Sequence, residues 1–188
     1  MQQLFDIYFV SSNKHKFQEI KKILNSFGIQ IGFFKSELEE IQSNSLTDIA
    51  VKKAQDAFSK CKKPLIIEDD GLFIDFLLGF PGPYSSYVFK TIGNDGILNL
   101  LKNNRQAKFV SIITFCDKNT LQSFDAKISG SISKSLKGKG WGYDPIFIPE
   151  NYSQTFAQLS NKNQVSHRYK ALKKFSKWYL RKQESNDQ

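Results

Sequence analysis

The chain has 188 residues, 40% of them hydrophobic and 14% aromatic, which is enough apolar material for one domain, or one domain with two lobes, and excludes a disordered chain. Lysine and arginine number 27 against 18 acids, a net charge of +9, which favours anionic partners without choosing among nucleotides, nucleic acid and lipid. No stretch approaches the ~20 apolar residues of a membrane span, Met1–Asp6 lacks the basic and apolar regions of a signal peptide, and Cys61 and Cys116 follow no metal or redox spacing, so the expectation is a cytoplasmic protein without a membrane partner.

Elements alternate along the chain. Leu4–Val10 reads as a strand and Asn13–Phe27 as a helix with Phe17, Ile20, Leu24 and Phe27 on one face, closed by Gly28. Ile29–Phe34 reads as a second strand, followed by an acidic linker through Glu37, Glu39 and Glu40. Leu46–Phe58 has helical spacing, burying Leu46, Ile49, Ala50, Ala54 and Ala57. Leu65–Glu68 is a buried strand, Gly93–Leu101 a helix, and Phe109–Cys116 with Leu121–Ile132 an antiparallel pair. A glycine-rich loop, Gly138–Gly142, precedes the apolar run Ile146–Ile148, and Ser166–Arg181 closes the chain as a helix carrying Tyr169, Leu172, Phe175 and Tyr179 on one face. The domain is expected to span 1–182, with 183–188 a polar tail that frays. Strand–helix–strand early and paired strands late predict an α/β fold with a mixed sheet.

Four stretches carry chemistry. Pro64–Gly71 ends an apolar run in three adjacent carboxylates, Glu68, Asp69 and Asp70. Such a cluster is costly unless cations occupy it, and a hard divalent metal is the usual occupant; alone, the stretch supports a cation site and an acidic turn about equally. Ser11-Ser-Asn-Lys-His-Lys16 joins the first strand to the first helix, where backbone amides and lysines suit phosphate, although by local sequence alone an ordinary cap by Ser12 or Asn13 is favoured, because such caps are common. Gly140-Trp-Gly-Tyr-Asp-Pro145 offers a flat aromatic face and close backbone approach, with a hairpin corner as its rival. Lys162–Arg168 starts the last helix with Ser166 as a plausible cap, placing His167 and Arg168 in a first turn that disfavours positive charge. The Arg168 side chain is expected to be exposed there, and a lone His is more often structural than catalytic.

In order along the chain these stretches resemble the Ham1 family, the inosine triphosphate pyrophosphatases. Ser11–Lys16 resembles the family's Thr-Gly-Asn-x-x-Lys loop, Glu40-Ile-Gln its acidic linker motif, and Glu68-Asp-Asp-Gly with Gly79-Phe-Pro-Gly-Pro-Tyr84 its central signature. Trp141-Gly-Tyr-Asp-Pro and Val165-Ser-His-Arg-Tyr-Lys-Ala-Leu172 resemble its nucleotide-binding loop and terminal motif. The resemblance implies an elongated mixed α/β fold with two lobes around a central nucleotide cleft, usually as a homodimer. It implies cleavage of non-canonical purine nucleoside triphosphates (ITP, dITP, XTP) to monophosphate and pyrophosphate with Mg²⁺, for which Mn²⁺ is a possible substitute. Asp69 falls at the general-base and metal position, Glu40 at a metal position and Glu68 beside it. Ser11, Ser12, Asn13, Lys14 and Lys16 fall on the phosphate loop. Asp70, Trp141, Gly142, Tyr143, Asp144, Lys162, His167 and Arg168 fall on substrate positions.

Physical chemistry fits that assignment. Phosphoryl chemistry needs charge neutralisation and a positioned water, and donors such as Arg168 and backbone amides accept a 6-keto base while rejecting a 6-amino one. Two departures stand out. Ser12 replaces a glycine, which implies either a backbone that avoids positive φ or a strained loop, and Asp70 replaces Ser or Thr, for which the cap of a neighbouring turn is the expected role. Two other readings are a Maf-like nucleotide pyrophosphatase, against which the His167-Arg168 and Trp141–Asp144 motifs argue, and a basic nucleic-acid-binding module. The second leaves the acidic cluster unexplained, so no stable nucleic-acid partner is expected.

Overall fold

The computed structural model of the chain describes residues 5–186. Its strands are β1 (Tyr8–Ser11), β2 (Gly32–Lys35), β3 (Leu65–Ile74), β4 (Pro81–Gly82), β5 (Gln106–Cys116), β6 (Leu121–Ile132) and β7 (Phe147–Pro149). Its helices are α1 (Lys14–Asn25), α2 (Leu46–Cys61), α3 (Ser85–Thr91), α4 (Gly93–Leu100), α5 (Lys162–Val165) and α6 (His167–Asn186). The strands form one seven-stranded sheet in the order β2-β1-β3-β5-β6-β7, with β4 paired to β3. Parallel β1–β2 and β1–β3 ladders combine with antiparallel β3–β4 and β6–β7 ladders, so the sheet is mixed as expected.

The described residues divide into two compact units: those up to 69, 112–125 and those from 168 onward form the first, and 70–111 with 126–167 the second. In the first unit, Tyr8–Ser11 aligns residue for residue with Gly32–Lys35. Helix α1 buries Ile20, Ile23 and Leu24; it ends where Gly28 takes φ +78° and the Ile29 amide donates back to the Leu24 carbonyl, the left-handed stop that glycine permits. Helix α2 starts at Ser45, whose hydroxyl accepts the Asp48 amide, and buries Leu46, Ile49, Ala50, Ala54 and Ala57, the residues its spacing predicts. In the second unit Leu72, Ile74, Val88, Ile97, Phe109, Phe147 and Phe156 are among the buried residues of one apolar cluster.

The structure corrects several boundaries. Strand β3 does not stop at Glu68 but continues through all three acids to Ile74. Gly71, Leu72 and Ile74 are buried beyond them, and Leu72 and Phe73 are paired to β4, so the strand carries on where the polarity suggested a turn. Helix α3 had no counterpart in the sequence reading, because Ser-Ser-Tyr-Val-Phe-Lys-Thr is poor in helix formers and the segment buries only Ser85 and Val88. The first strand starts at Tyr8 and the second at Gly32; Leu4 of the expected first strand lies outside the described residues. Helix α6 runs to Asn186, through a stretch expected to fray.

Candidate active site

In the first unit the loop Ser11–Lys16 is built around Asn13. Its Oδ1 accepts the amides of His15 at 3.0 Å and Lys16 at 3.1 Å, and Ser11 Oγ accepts the Asn13 amide at 3.0 Å. Asn13 is therefore the cap of α1. With those amides engaged, attraction for an anion comes chiefly from the Lys14 and Lys16 side chains and the positive end of the helix. Ser12 is exposed, and among the described residues positive φ outside glycine is confined to Lys62, Leu78 and Asn151. The serine thus sits on a backbone that avoids the glycine-only region, without strain from a positive φ.

The carboxylates of the same unit surround a lysine. Lys53 Nζ donates to Asp69 Oδ1 at 2.5 Å and to Glu40 Oε1 at 2.6 Å. Asp69 is 7% exposed; burial pushes its carboxyl above the ordinary range, against the pull of the Lys53 and Lys16 ammonium groups. Its Oδ2 is buried and takes no hydrogen bond from any described residue. A cavity of about 70 Å³ is lined by Ser11, Ser12, Glu40, Lys53 and Glu68 among others. Among the described residues no three side chains of His, Cys, Asp or Glu form a ready-made metal cluster.

Glu68 has a different environment. Arg168 donates Nε–H to Glu68 Oε1 at 2.8 Å and Nη1–H to Glu19 Oε2 at 2.7 Å, and Lys16 Nζ stands 3.4 Å from Glu68 Oε2. Arg168 is 1% exposed. The expectation of an exposed first-turn arginine is therefore overturned: the side chain turns into the protein, where two carboxylates compensate the burial of its charge.

The second unit assembles the aromatic and basic positions. Lys162 Nζ pairs with Asp144 Oδ2 at 2.6 Å and lies 5.7 Å from the centre of the half-buried Trp141 ring. Gly142 takes φ +61°, and its carbonyl accepts Asn94 Nδ2 at 3.0 Å. Tyr143 is buried in the apolar cluster and donates its hydroxyl to the Ser85 carbonyl at 2.8 Å; burial, and then the Asp70 charge, hold its phenol well above the ordinary range. Ser85 Oγ in turn accepts the Leu72 amide and donates to the Gly82 carbonyl, so the Gly79–Tyr84 motif serves to tie α3 to β3. His167, 2% exposed, stacks on Phe109 with centroids 4.3 Å apart, and its Nε2 is 3.8 Å from Asp70 Oδ2. Asp70 lies inside β3, so there is no turn at that point to cap, and the expected capping role is replaced by a pairing with His167.

Lys53 and Glu19 escaped the sequence reading. Lys53 had a signal: it falls on the face of α2 that carries Ala50, Ala54 and Ala57, where a charge is buried unless something specific holds it. Glu19 had none, because its partner Arg168 is 149 residues away.

Residues 7–178 match the Ham1 family. A dITP/XTP pyrophosphatase of Methanopyrus kandleri is 45% identical over 179 residues, covering 92% of this chain and 95% of that protein. One of Pyrococcus horikoshii is 45% identical over 177 residues, covering 92% and 95%. Among solved structures, a Ham1 protein from Coxiella burnetii superposes with a TM-score of 0.80 at 25% identity, covering 95% of this chain and 100% of that one. The Staphylococcus aureus Ham1 protein gives 0.76 at 27% identity, covering 93% and 99%. With its motifs, its sheet and these relatives in agreement, the chain belongs to the Ham1 family.

Proposed function

We propose that this chain hydrolyses non-canonical purine nucleoside triphosphates, dITP and XTP with ITP, to the monophosphate and pyrophosphate, and so removes them from the nucleotide pool. The observation that carries this reading is the buried Asp69 carboxylate with an unengaged Oδ2 beside Lys53 and Glu40, in a chain 45% identical to dITP/XTP pyrophosphatases. Neither a Maf-like enzyme nor a nucleic-acid-binding module is favoured by a family match that spans 7–178.

Asp69 Oδ2 is the atom that orients a water and takes its proton, and burial, which raises the carboxyl, makes it a better base. Lys14 and Lys16 hold the phosphates by charge. The Trp141 ring, the Asp144–Lys162 pair and His167 receive the base. Arg168 is engaged by Glu68 and Glu19, so donation to a 6-keto oxygen falls to His167 and to backbone amides of 141–144. Such groups donate to a carbonyl oxygen and meet a 6-amino group unfavourably, which disfavours adenine.

Mg²⁺, with Mn²⁺ as substitute, fits the donor set, because Asp69 Oδ2 is an orphaned buried oxygen and Glu40 is largely exposed beside it. Glu40 and Asp69 would hold the ion, with Glu68 adjacent; one or two carboxylates completed by phosphate oxygens and water is a common Mg²⁺ arrangement. When bound it supplies charge neutralisation and a more acidic water. A pyrophosphate-release assay over a panel of nucleoside triphosphates, with and without Mg²⁺, tests the reading. Turnover of dITP and XTP well above ATP, abolished by chelation, is expected; equal turnover of ATP or metal-independent turnover contradicts it.

The reading includes a homodimer acting in the cytoplasm. Phe76, Leu78, Tyr84 and Tyr87 are 48%, 98%, 42% and 69% exposed within twelve residues of the second unit, a density of exposed apolar side chains that suits an interface. Both cysteines are free and buried, which suits a reducing compartment, and among the described residues no helix is long and apolar enough to cross a membrane.

A further inference from the structure

We propose that Glu19 is a positioning residue for the triphosphate-binding loop, acting through Arg168 and Glu68. This inference rests on the triphosphate chemistry proposed for Ser11–Lys16.

The geometry is a ring of four alternating charges in the first unit. Lys16 and Glu19 both lie on α1, three residues apart and so on the same helix face. Lys16 Nζ stands 3.4 Å from Glu68 Oε2; Glu68 Oε1 accepts Arg168 Nε at 2.8 Å; Arg168 Nη1 donates to Glu19 Oε2 at 2.7 Å, which returns to α1. Side-chain exposures are 15% for Lys16, 0% for Glu68, 1% for Arg168 and 8% for Glu19. Two positive and two negative charges cancel, which is the condition for burying such a group.

The ring has a mechanical consequence. Glu68 lies on β3 and Arg168 at the start of α6, so α1 is fastened to both through two of its own side chains. Those side chains sit in the first turns of the helix, directly after the loop capped by Asn13. A helix held at one face cannot rotate, and its N-terminal lysines are then presented in one orientation. Glu19 also shares the Arg168 guanidinium with Glu68. Without it the latch through Arg168 is lost, α1 is fastened at this face through the Lys16–Glu68 contact alone of the two described, and the Lys16 ammonium is no longer fixed in one orientation.

Electrostatics alone predicts the opposite result. Removing a carboxylate makes the region more positive and should tighten anion binding. Positioning predicts weaker binding, so the sign of the change separates the two.

The test uses inorganic tripolyphosphate, which carries the phosphates without base or sugar, measured by calorimetry on the full chain and on Glu19→Gln. A second variant, Glu19→Asp, keeps the charge on a shorter arm and serves if the glutamine variant does not fold. Ile20→Val, a buried neighbour on α1 outside the ring, is the control for loss of stability alone. The expected result is a rise of at least ~10-fold in the tripolyphosphate Kd for Glu19→Gln, the size of a lost charged hydrogen bond. A similar rise in KM for dITP, kcat within a few-fold of wild type, and a smaller rise in Kd for Glu19→Asp should accompany it. Ile20→Val should lower Tm without moving the tripolyphosphate Kd. Unchanged or tighter tripolyphosphate binding by folded Glu19→Gln, or an equal weakening in Ile20→Val, overturns the role of Glu19. A wild-type chain that neither binds tripolyphosphate nor hydrolyses dITP overturns the proposed function itself, and with it this inference.

Discussion

The Lys53 ammonium donates to Asp69 Oδ1 at 2.5 Å, yet the Asp69 carboxyl stands above its ordinary range because burial outweighs the neighbouring cation. A carboxyl raised by folding stabilises the native state while it is protonated, and the contribution is lost as pH rises through the raised value. The ionised form of Asp69 is therefore a cost to stability. Asp69→Asn should lower kcat by at least ~100-fold while leaving Tm equal to or above that of the wild type without ligand. Its stability advantage should be absent near pH 3 and should grow as pH rises through the raised value. Near-wild-type turnover by the folded variant would remove Asp69 as the base.

Arg168→Ala should cost much more stability than an exposed arginine would. The guanidinium is 1% exposed and holds Glu68 and Glu19, and breaking a buried ion pair from one side costs about 3–5 kcal/mol. For a chain of this size that corresponds to a Tm drop on the order of 10 °C. A melting curve within a degree or two of wild type would show that the pairs are not formed in solution.

These two cases mark where the sequence could be read and where it could not. Helical spacing identified the buried face of α2 from Leu46 to Ala57 because that pattern is local. The order of motifs identified the family, because each motif is contiguous. The extent of β3 was hidden because Glu68, Asp69 and Asp70 look like a turn until their partners are known: Arg168 and Lys16 for Glu68, Lys53 for Asp69, His167 for Asp70. Those partners come from elements up to 100 residues away. The same distance concealed that Arg168 points inward, and it left Glu19 without any signal. Lys53 is legible in the sequence, as a charge on an apolar stripe.

Asp70→Ser should act on substrate binding and not on metal dependence. Asp70 Oδ2 lies 3.8 Å from His167 Nε2 in the second unit, whereas Asp69 and Glu40 pair with Lys53 in the first. Losing a half-buried pairing of this kind costs on the order of 1 kcal/mol, so KM for dITP should rise about fivefold with kcat nearly constant. The Mg²⁺ concentration for half-maximal rate should not move. A steady-state Mg²⁺ titration decides the point: a large shift there with KM unchanged would make Asp70 a metal-site residue.

The Asp117–Lys182 pair gives the acid limb of stability. Burial pushes the Asp117 carboxyl up, but the Lys182 hydrogen bond at 2.6 Å, the Asn119 and Thr120 amides and the Lys182 charge together hold it below its ordinary value. Lys182 also lies 4.6 Å from the centre of the Phe115 ring and 5.3 Å from that of Trp178, so the carboxylate steadies a cation packed on aromatic faces of the first unit. A depressed carboxyl contributes stability that is complete above the unfolded value, near 3.8, and is lost as pH falls through the lower folded value. Asp117→Asn should therefore be less stable than wild type at pH 7 by roughly 1.5–3 kcal/mol, the size of hydrogen bonds to a charged group. The difference should hold down to about pH 5 and close below the ordinary carboxylate value of 3.8. Urea titrations of both proteins at pH 7, 5 and 3 measure it. A difference that persists undiminished at pH 3 would mean that packing of the Lys182 stem on Phe115 and Trp178, and not the Asp117 charge, provides the stability.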